Sequence, residues 1–173
     1  GITARKYRIE RREVDEIAHL RHEQYWRAKD SGFLDRVLVP LDLLNVAGKP
    51  LGRVDEDKGV RRISLGSVRA QRELDTCVTS AGQTHASDGM ATLLVTTAEK
   101  ARELSSRPEI EIRYVGKAEA RTEPSLMPEA PAFAVKKLLD RVGMTMDDVK
   151  VAKNHNPFAV NDAVFQKVLG YDW

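Results

Sequence analysis

The sequence predicts an α/β domain, and three observations predict it. Apolar or alternating runs at 91–97, 109–115 and 149–152 have the length and the branched-residue content of strands. Segments with apolar residues at three-and-four spacing follow them at 98–105, 130–142 and 160–169. Strand and helix therefore alternate in the βαβ manner, in which helices cover the faces of a layered sheet.

In chain order, the first element is a long helix over 11–31, with Val14, Ile17, Ala18, Tyr25 and Ala28 on one face and Gly32 ending it. Val37-Leu38-Val39 is a short strand, and Asn45 to Arg62, with three glycines and dense charge, reads as loop. Residues 91–97 form a compact strand, 98–105 a short helix, and 109–115 alternates as a half-buried strand does. Residues 130–142 form an amphipathic helix with Ala134, Val135, Leu138, Leu139 and Val142 inward, closed by Gly143. Val149 to Ala152 is the next strand, and the apolar-periodic segment from Val160 to Leu169 is the last helix. No solenoid repeat and no low-complexity tract is present.

Composition narrows the class. The chain has 173 residues, 42% hydrophobic and 31% charged, enough for a real core, and its single cysteine excludes an internal disulfide. With 28 basic against 26 acidic residues the net charge is only +2, so bulk charge does not favour nucleic acid or an anionic membrane. No apolar run approaches the ~20 residues that span a bilayer, and the compartment reads as cytosolic (cytoplasmic).

The most informative motif is Asn154-His155-Asn156-Pro157-Phe158-Ala159, which places an imidazole between a strand end and a helix start. That edge of an α/β protein is open to ligand and carries unpaired helix amides. A His beside Pro and Phe equally suits a structural role. His19, His22 and Glu23 form a His-x-x-His-Glu run, but metalloprotease helices need His-Glu-x-x-His or its inverse, so a solvated helix face is expected and no metal. No Walker-type loop and no Gly-x-Gly-x-x-Gly occurs. Cys77 sits in the strand-like run before Val78 with no adjacent base or helix N-terminus to lower its pKa, which reads as a buried structural thiol.

From about Thr76 to Trp173 these features resemble the thiolase family, motif after motif. In thiolases a strand ends in Asn-Glu-Ala-Phe-Ala, or in His-Asp-Cys-Phe in the sterol-carrier-type branch; His155-Asn156-Pro157-Phe158-Ala159 is similar, and nearest to the latter. Pro124-Ser125-Leu126-Met127 followed by Pro131-Ala132 resembles Asp-Pro-x-x-Met-Gly-x-Gly-Pro-x-Pro-Ala, and Leu138 to Asp148 resembles Ala-Leu-x-Lys-Ala-Gly-Leu-x-x-x-Asp-Ile. Val78 to Ala91 resembles Val-Thr-Ala-Gly-Asn-Ala-Ser-Gly-x-Asn-Asp-Gly-Ala-Ala, with Asp88-Gly89 as the preserved kernel. Tyr7 through Pro40 is similar to the family's Tyr-Gly-Ile-x-Arg-Glu-x-x-Asp-Glu helix and its Ile-Val-Pro strand, through Arg12, Glu13, Asp15, Glu16, Gly32 and Val39-Pro40.

The resemblance implies a portion of the thiolase fold: residues 1–75 as a charged loop-domain segment over the active site, 76–118 as the end of the N-terminal half, and 119–173 as the start of the C-terminal half. It implies acyl transfer between coenzyme A thioesters, by Claisen condensation or thiolytic cleavage, with no cofactor beyond those substrates. His155 falls at the oxyanion-hole position. Basic residues of the loop domain meet the coenzyme A phosphates; Arg53, Lys58, Arg61 and Arg62 are candidates, Arg61 and Arg62 foremost, although a charged loop balanced by Asp55, Glu56 and Asp57 explains each as well. Ser80, Thr84 and His85 would approach the pantetheine arm, and Met127 and Phe158 would line its tunnel, or else belong to the core. The nucleophilic Cys-x-Ser-Gly and the downstream Gly-His-Pro and Cys-x-Gly-Gly do not occur here, so the chain is expected to be inactive alone and to need remaining thiolase segments or a partner subunit. A non-condensing coenzyme-A-binding or assembly subunit, or a carbon-carbon lyase on the same fold, is the alternative. Apolar surface left uncovered by those segments predicts a homo-oligomer.

Overall fold

In the computed structural model, residues 1–85, 87 and 89–171 are described; Asp88, half of the Asp-Gly kernel, lies outside them. The core is built around the C-terminal helix. Helices α1 (Ile2–Lys6), α2 (Arg11–Asp30), α3 (Leu65–Arg69), α4 (Ala98–Leu104), α5 (Ala130–Val142) and α6 (Ala159–Leu169) accompany one antiparallel hairpin, β1 (Leu41–Leu44) with β2 (Pro50–Val54). α6 packs on α1, α2 and α5, and α3 packs on α2. Every residue of α6 from Ala159 to Phe165 is buried, facing Val14, Ile17 and Ala18 of α2, Ala4 of α1 and Val68 of α3. Five of these seven residues are apolar, and Asn161 and Asp162 are buried among them.

The helix expectations hold. α2 stops at Asp30 and Gly32 turns at φ +72°, a conformation that Gly adopts without a Cβ penalty. α5 runs from Ala130 to Val142, as expected, and Gly143 closes it at φ +68°. Its expected inward residues Ala134, Val135, Leu138, Leu139 and Val142 are only half-buried, lying between α6 and the 116–119 segment.

The strand expectations divide. Val37-Leu38-Val39 is not a strand; it follows a single 3-10 turn over Leu34–Arg36, and the sheet begins at Leu41. The 45–62 stretch read as loop holds β2, because Asn45 builds the turn: its side-chain oxygen accepts from the amides of Ala47 and Lys49, and Gly48 takes φ +76°. The runs at 91–97, 109–115 and 149–152 carry no ladder among the described residues. Strands exist only as pairs, and nothing among the described residues pairs with these runs. They stay exposed, with Leu93 at 89%, Ile112 at 90% and Val151 at 78%. No helix among the described residues is long and apolar enough to cross a membrane.

Buried polar groups fasten the N-terminus to this core. Glu129, 2% exposed, accepts from Lys6 Nζ at 2.7 Å and from the Tyr7 hydroxyl at 2.6 Å. Burial works against its charge, but the hydrogen bonds from Lys6 and Tyr7 prevail and hold the carboxyl below its usual range. Burial of Tyr7, aided by the hydrogen bond to Glu129 and its charge, pushes the phenol up to about 12. A raised phenol pKa adds stability that is complete below the ordinary value of 10.0 and is lost as pH rises through about 12. Absorbance titration is expected to show one tyrosine ionising near 12, together with loss of structure, and Tyr7→Phe to remove both.

Val164, fully buried, fixes the packing cost. Val164→Ala is expected to lower the unfolding free energy by about 2 to 3 kcal/mol in denaturant titration. Val151→Ala, on an unpaired run, is expected to change it by less than about 0.5 kcal/mol.

Candidate active site

Two segments distant in sequence are joined by backbone. The Gly82 carbonyl accepts from Ala159 N and the Pro157 carbonyl from Thr84 N, each at 2.8 Å, with an antiparallel bridge between Gln83 and Phe158. This exchange sets the Ser80–His85 segment against the start of α6 and leaves a cavity of about 760 Å³. Its walls are Ala18, Arg21 and His22 of α2, the 57–61 loop, residues 80–85, and Asn156 with Ala159.

Hydrogen bonds hold each wall. Thr79 is fully buried and its hydroxyl accepts from Gly82 N at 3.1 Å. The Gln71 side-chain oxygen accepts from Ser80 Oγ and from Ala81 N, both at 2.9 Å. His85 Nε2 lies 2.8 Å from Asp57 Oδ1, which also accepts from Gly59 N. The His85 ring lies against Gly59, where a side chain would displace the ring. Asp57 is fixed in turn by its own amide, which donates to the Tyr25 hydroxyl.

Charge in the cavity is mostly positive. The Arg61 guanidinium makes no ion pair among the described residues, whereas Lys58 is held by Glu56 at 3.0 Å. Burial, reinforced by the Arg61 charge, lowers the His22 pKa, so the ring is neutral near pH 7, and its Nδ1 has no partner among the described residues. At the rim, Asp162 of α6, 1% exposed, accepts from Arg21 Nε at 2.9 Å and from Asn156 Nδ2 at 2.8 Å.

The structure thus gathers Arg61, Ser80, Thr84 and His85 around one cavity. Phe158 joins them by backbone while its ring is about one-third exposed. His155 stands exposed beside the cavity, not in its lining. Met127 is 63% exposed and borders a separate hollow with Arg121 and Ala134. Arg62 turns away, pairing with Asp30 at 2.6 Å and lying 4.2 Å over the Trp26 ring; it lines a neighbouring cavity of about 750 Å³. Arg53 pairs with Asp42 on the hairpin. The expectation of a solvated His19–Glu23 face fails: His19 Nδ1 meets the Ile63 carbonyl at 3.1 Å, and His22 is half-buried. No cluster of three or more metal-ligating side chains occurs among the described residues.

Sequence reasoning missed Arg21, Asp57, Gln71 and Asp162, and took His22 for surface. One signal was available for His22, because it continues the Val14–Ala18 row at four-residue spacing. Cys77 is buried at 5% exposure, its thiol contacts the Ile9 carbonyl at 3.2 Å, and burial pushes its pKa up.

No family model matches the chain. The chain is 32% identical over 174 residues to a mitochondrial acetyl-CoA acetyltransferase A of Xenopus laevis, covering 98% of this chain and 41% of that protein. It is 30% identical over 175 residues to acetyl-CoA acetyltransferase 1 of Arabidopsis thaliana, covering 99% and 42%. Among solved structures, the Bacillus anthracis acetyl-CoA acetyltransferase superposes with a TM-score of 0.82 at 26% identity, over 98% of this chain and 43% of that one. The dimeric peroxisomal thiolase of Saccharomyces cerevisiae shares the fold with a TM-score of 0.81. Over nearly its whole length the chain is similar to part of the thiolases and has the corresponding part of their α/β fold, spanning about two-fifths of the length of the relatives it matches.

His22 provides a probe of the cavity. Its lowered pKa adds stability that is present above its ordinary value of 6.5 and is lost as pH falls through the folded value. An anion bound beside Arg61 offsets that residue's charge, so inorganic pyrophosphate is expected to raise the His22 pKa in an NMR titration, and Arg61→Ala to abolish that rise.

Proposed function

We propose that the chain is part of a thiolase-type acyltransferase acting on acyl-CoA thioesters, to which it contributes the coenzyme A surface and an oxyanion donor. The cavity at the junction of residues 80–85 with the 155–158 segment carries this reading. Arg61, unpaired among the described residues, suits a phosphate. Ser80, Thr84 and His85 offer polar contacts for a pantetheine amide along a wall that also carries apolar surface from Ala18, Val60 and Ala81.

The reaction is a Claisen condensation or its thiolytic reverse. An acyl group is held on a cysteine thiolate, and the enolate of a second thioester attacks its carbonyl carbon with release of the thiolate. Enolate formation places negative charge on the thioester oxygen, and the His155 imidazole N–H is the donor proposed to meet it. Cys77 is buried, so the nucleophile comes from residues outside this sequence. The chain by itself is then inactive, with 1–75 as the segment over the site and 76–118 and 119–173 as parts of the two thiolase halves. Coenzyme A thioesters serve as substrates and no other cofactor is needed. The unpaired apolar runs at 91–97, 109–115 and 149–152 are the strands that complementary thiolase segments would cover, and uncovered they favour self-association. Composition supports a cytoplasmic setting.

The burial of the sole cysteine favours one second reading, a non-condensing coenzyme-A-binding subunit. Isothermal titration with acetyl-CoA tests both. Binding is expected, and Arg61→Ala is expected to weaken it about tenfold or more, the loss of one charge-assisted phosphate contact. His155→Ala is expected to leave binding within about twofold, yet to lower thiolysis by about 100- to 1,000-fold when the nucleophile-bearing segments are supplied. Turnover that ignores His155→Ala rejects the oxyanion role, and turnover absent from the complemented wild type leaves the binding subunit.

A further inference from the structure

Asp162 is the buried charge in a helix whose other buried residues are alanine, valine, phenylalanine and the uncharged Asn161. An apolar residue of similar size would fill that site at less cost, since desolvating a carboxylate is offset only by well-placed partners. The partners are present and come from one loop and from α2. Asn156 Nδ2 donates to Oδ2 at 2.8 Å, and Asn154 Nδ2 approaches Oδ1 at a long 3.5 Å. Arg21 Nε, from α2, supplies the opposite charge at 2.9 Å.

The spacing of the two asparagines gives the carboxylate its purpose. Along an extended backbone, side chains alternate, so residues 154 and 156 face one side and residue 155 the other. Pro157 keeps Asn156 extended, because its ring disfavours helical geometry in the residue before it. Asn154 and Asn156 are accordingly half-buried and His155 exposed. Staking both neighbours to one carboxylate fixes which way the imidazole between them faces. We propose that Asp162 is a positioning residue for His155, acting through Asn154 and Asn156, with Arg21 linking the clamp to the cavity wall. The inference rests on His155 being the oxyanion donor proposed above.

The test follows the imidazole signals of His19, His22, His85 and His155 by NMR in the isotope-labelled chain, with His155→Ala assigning the last. Asp162→Asn removes the clamp's charge. The double variant Asn154→Ala/Asn156→Ala removes the loop's donors and leaves the Asp162–Arg21 pair in the core, so it decides the matter where Asp162→Asn fails to fold. In the double variant the His155 signal is expected to shift and broaden as the ring loses its single orientation, while the His19 and His85 signals and the circular dichroism stay as in the parent. A His155 signal unmoved in the folded double variant, or all four signals moving together, overturns the proposal. Titrating the parent chain with acetyl-CoA separates the two readings. If His22 and His85 do not respond, the acyl-CoA site and the clamp's catalytic purpose fall together; if they respond and His155 ignores the double variant, only the role of Asp162 falls.

Discussion

The burial of α6 is the contact on which the rest of this chain depends. Seven consecutive residues, Ala159 to Phe165, leave solvent together, and α1, α2 and α5 have α6 as their common neighbour. Removing such surface from water is the main favourable term in folding, and here it is concentrated in one short helix. Two backbone hydrogen bonds at its entrance, from Ala159 to Gly82 and from Thr84 to Pro157, convert that packing into the geometry of the cavity.

The cavity wall shows how polar groups are maintained at the margin of such a core. Thr79 and Gln71 bind the backbone of the 80–82 segment, and Asp57 gathers the Gly59 amide and the His85 ring. Each of these groups has its partner, and Arg61 is left with its charge uncommitted among the described residues. A cation spared from internal pairing in a concave, partly apolar site suits an anionic ligand better than it suits stability.

Helices and their ends were legible in the sequence because their determinants are local. Gly32 and Gly143 stop α2 and α5 where only a residue without a side chain turns easily. Strands were not, because a run such as 91–97 has strand composition but becomes a strand only beside another. The hairpin was hidden for the opposite reason, since charge and glycine masked the Asn45–Gly48 turn. The resemblance pointed to Arg61, Ser80, Thr84 and His85, which line one cavity, while Asp162 and Gln71 escaped because their part lies in what they touch and not in their spacing. Met127, from a motif, and Arg62, from the charge of its loop, face other hollows.

The order of synthesis gives the placement of α6 a further meaning. Arg21 and Asp162, joined across the core, stand 141 positions apart, so the apolar face of α2 leaves the ribosome long before its partner exists. Contacts of such long range must wait for loop closure, and domains dominated by them fold slowly. Until α6 is made, Val14, Ile17 and Ala18 have only nearer elements such as α3 to cover them, a state in which chaperones matter more than native stability.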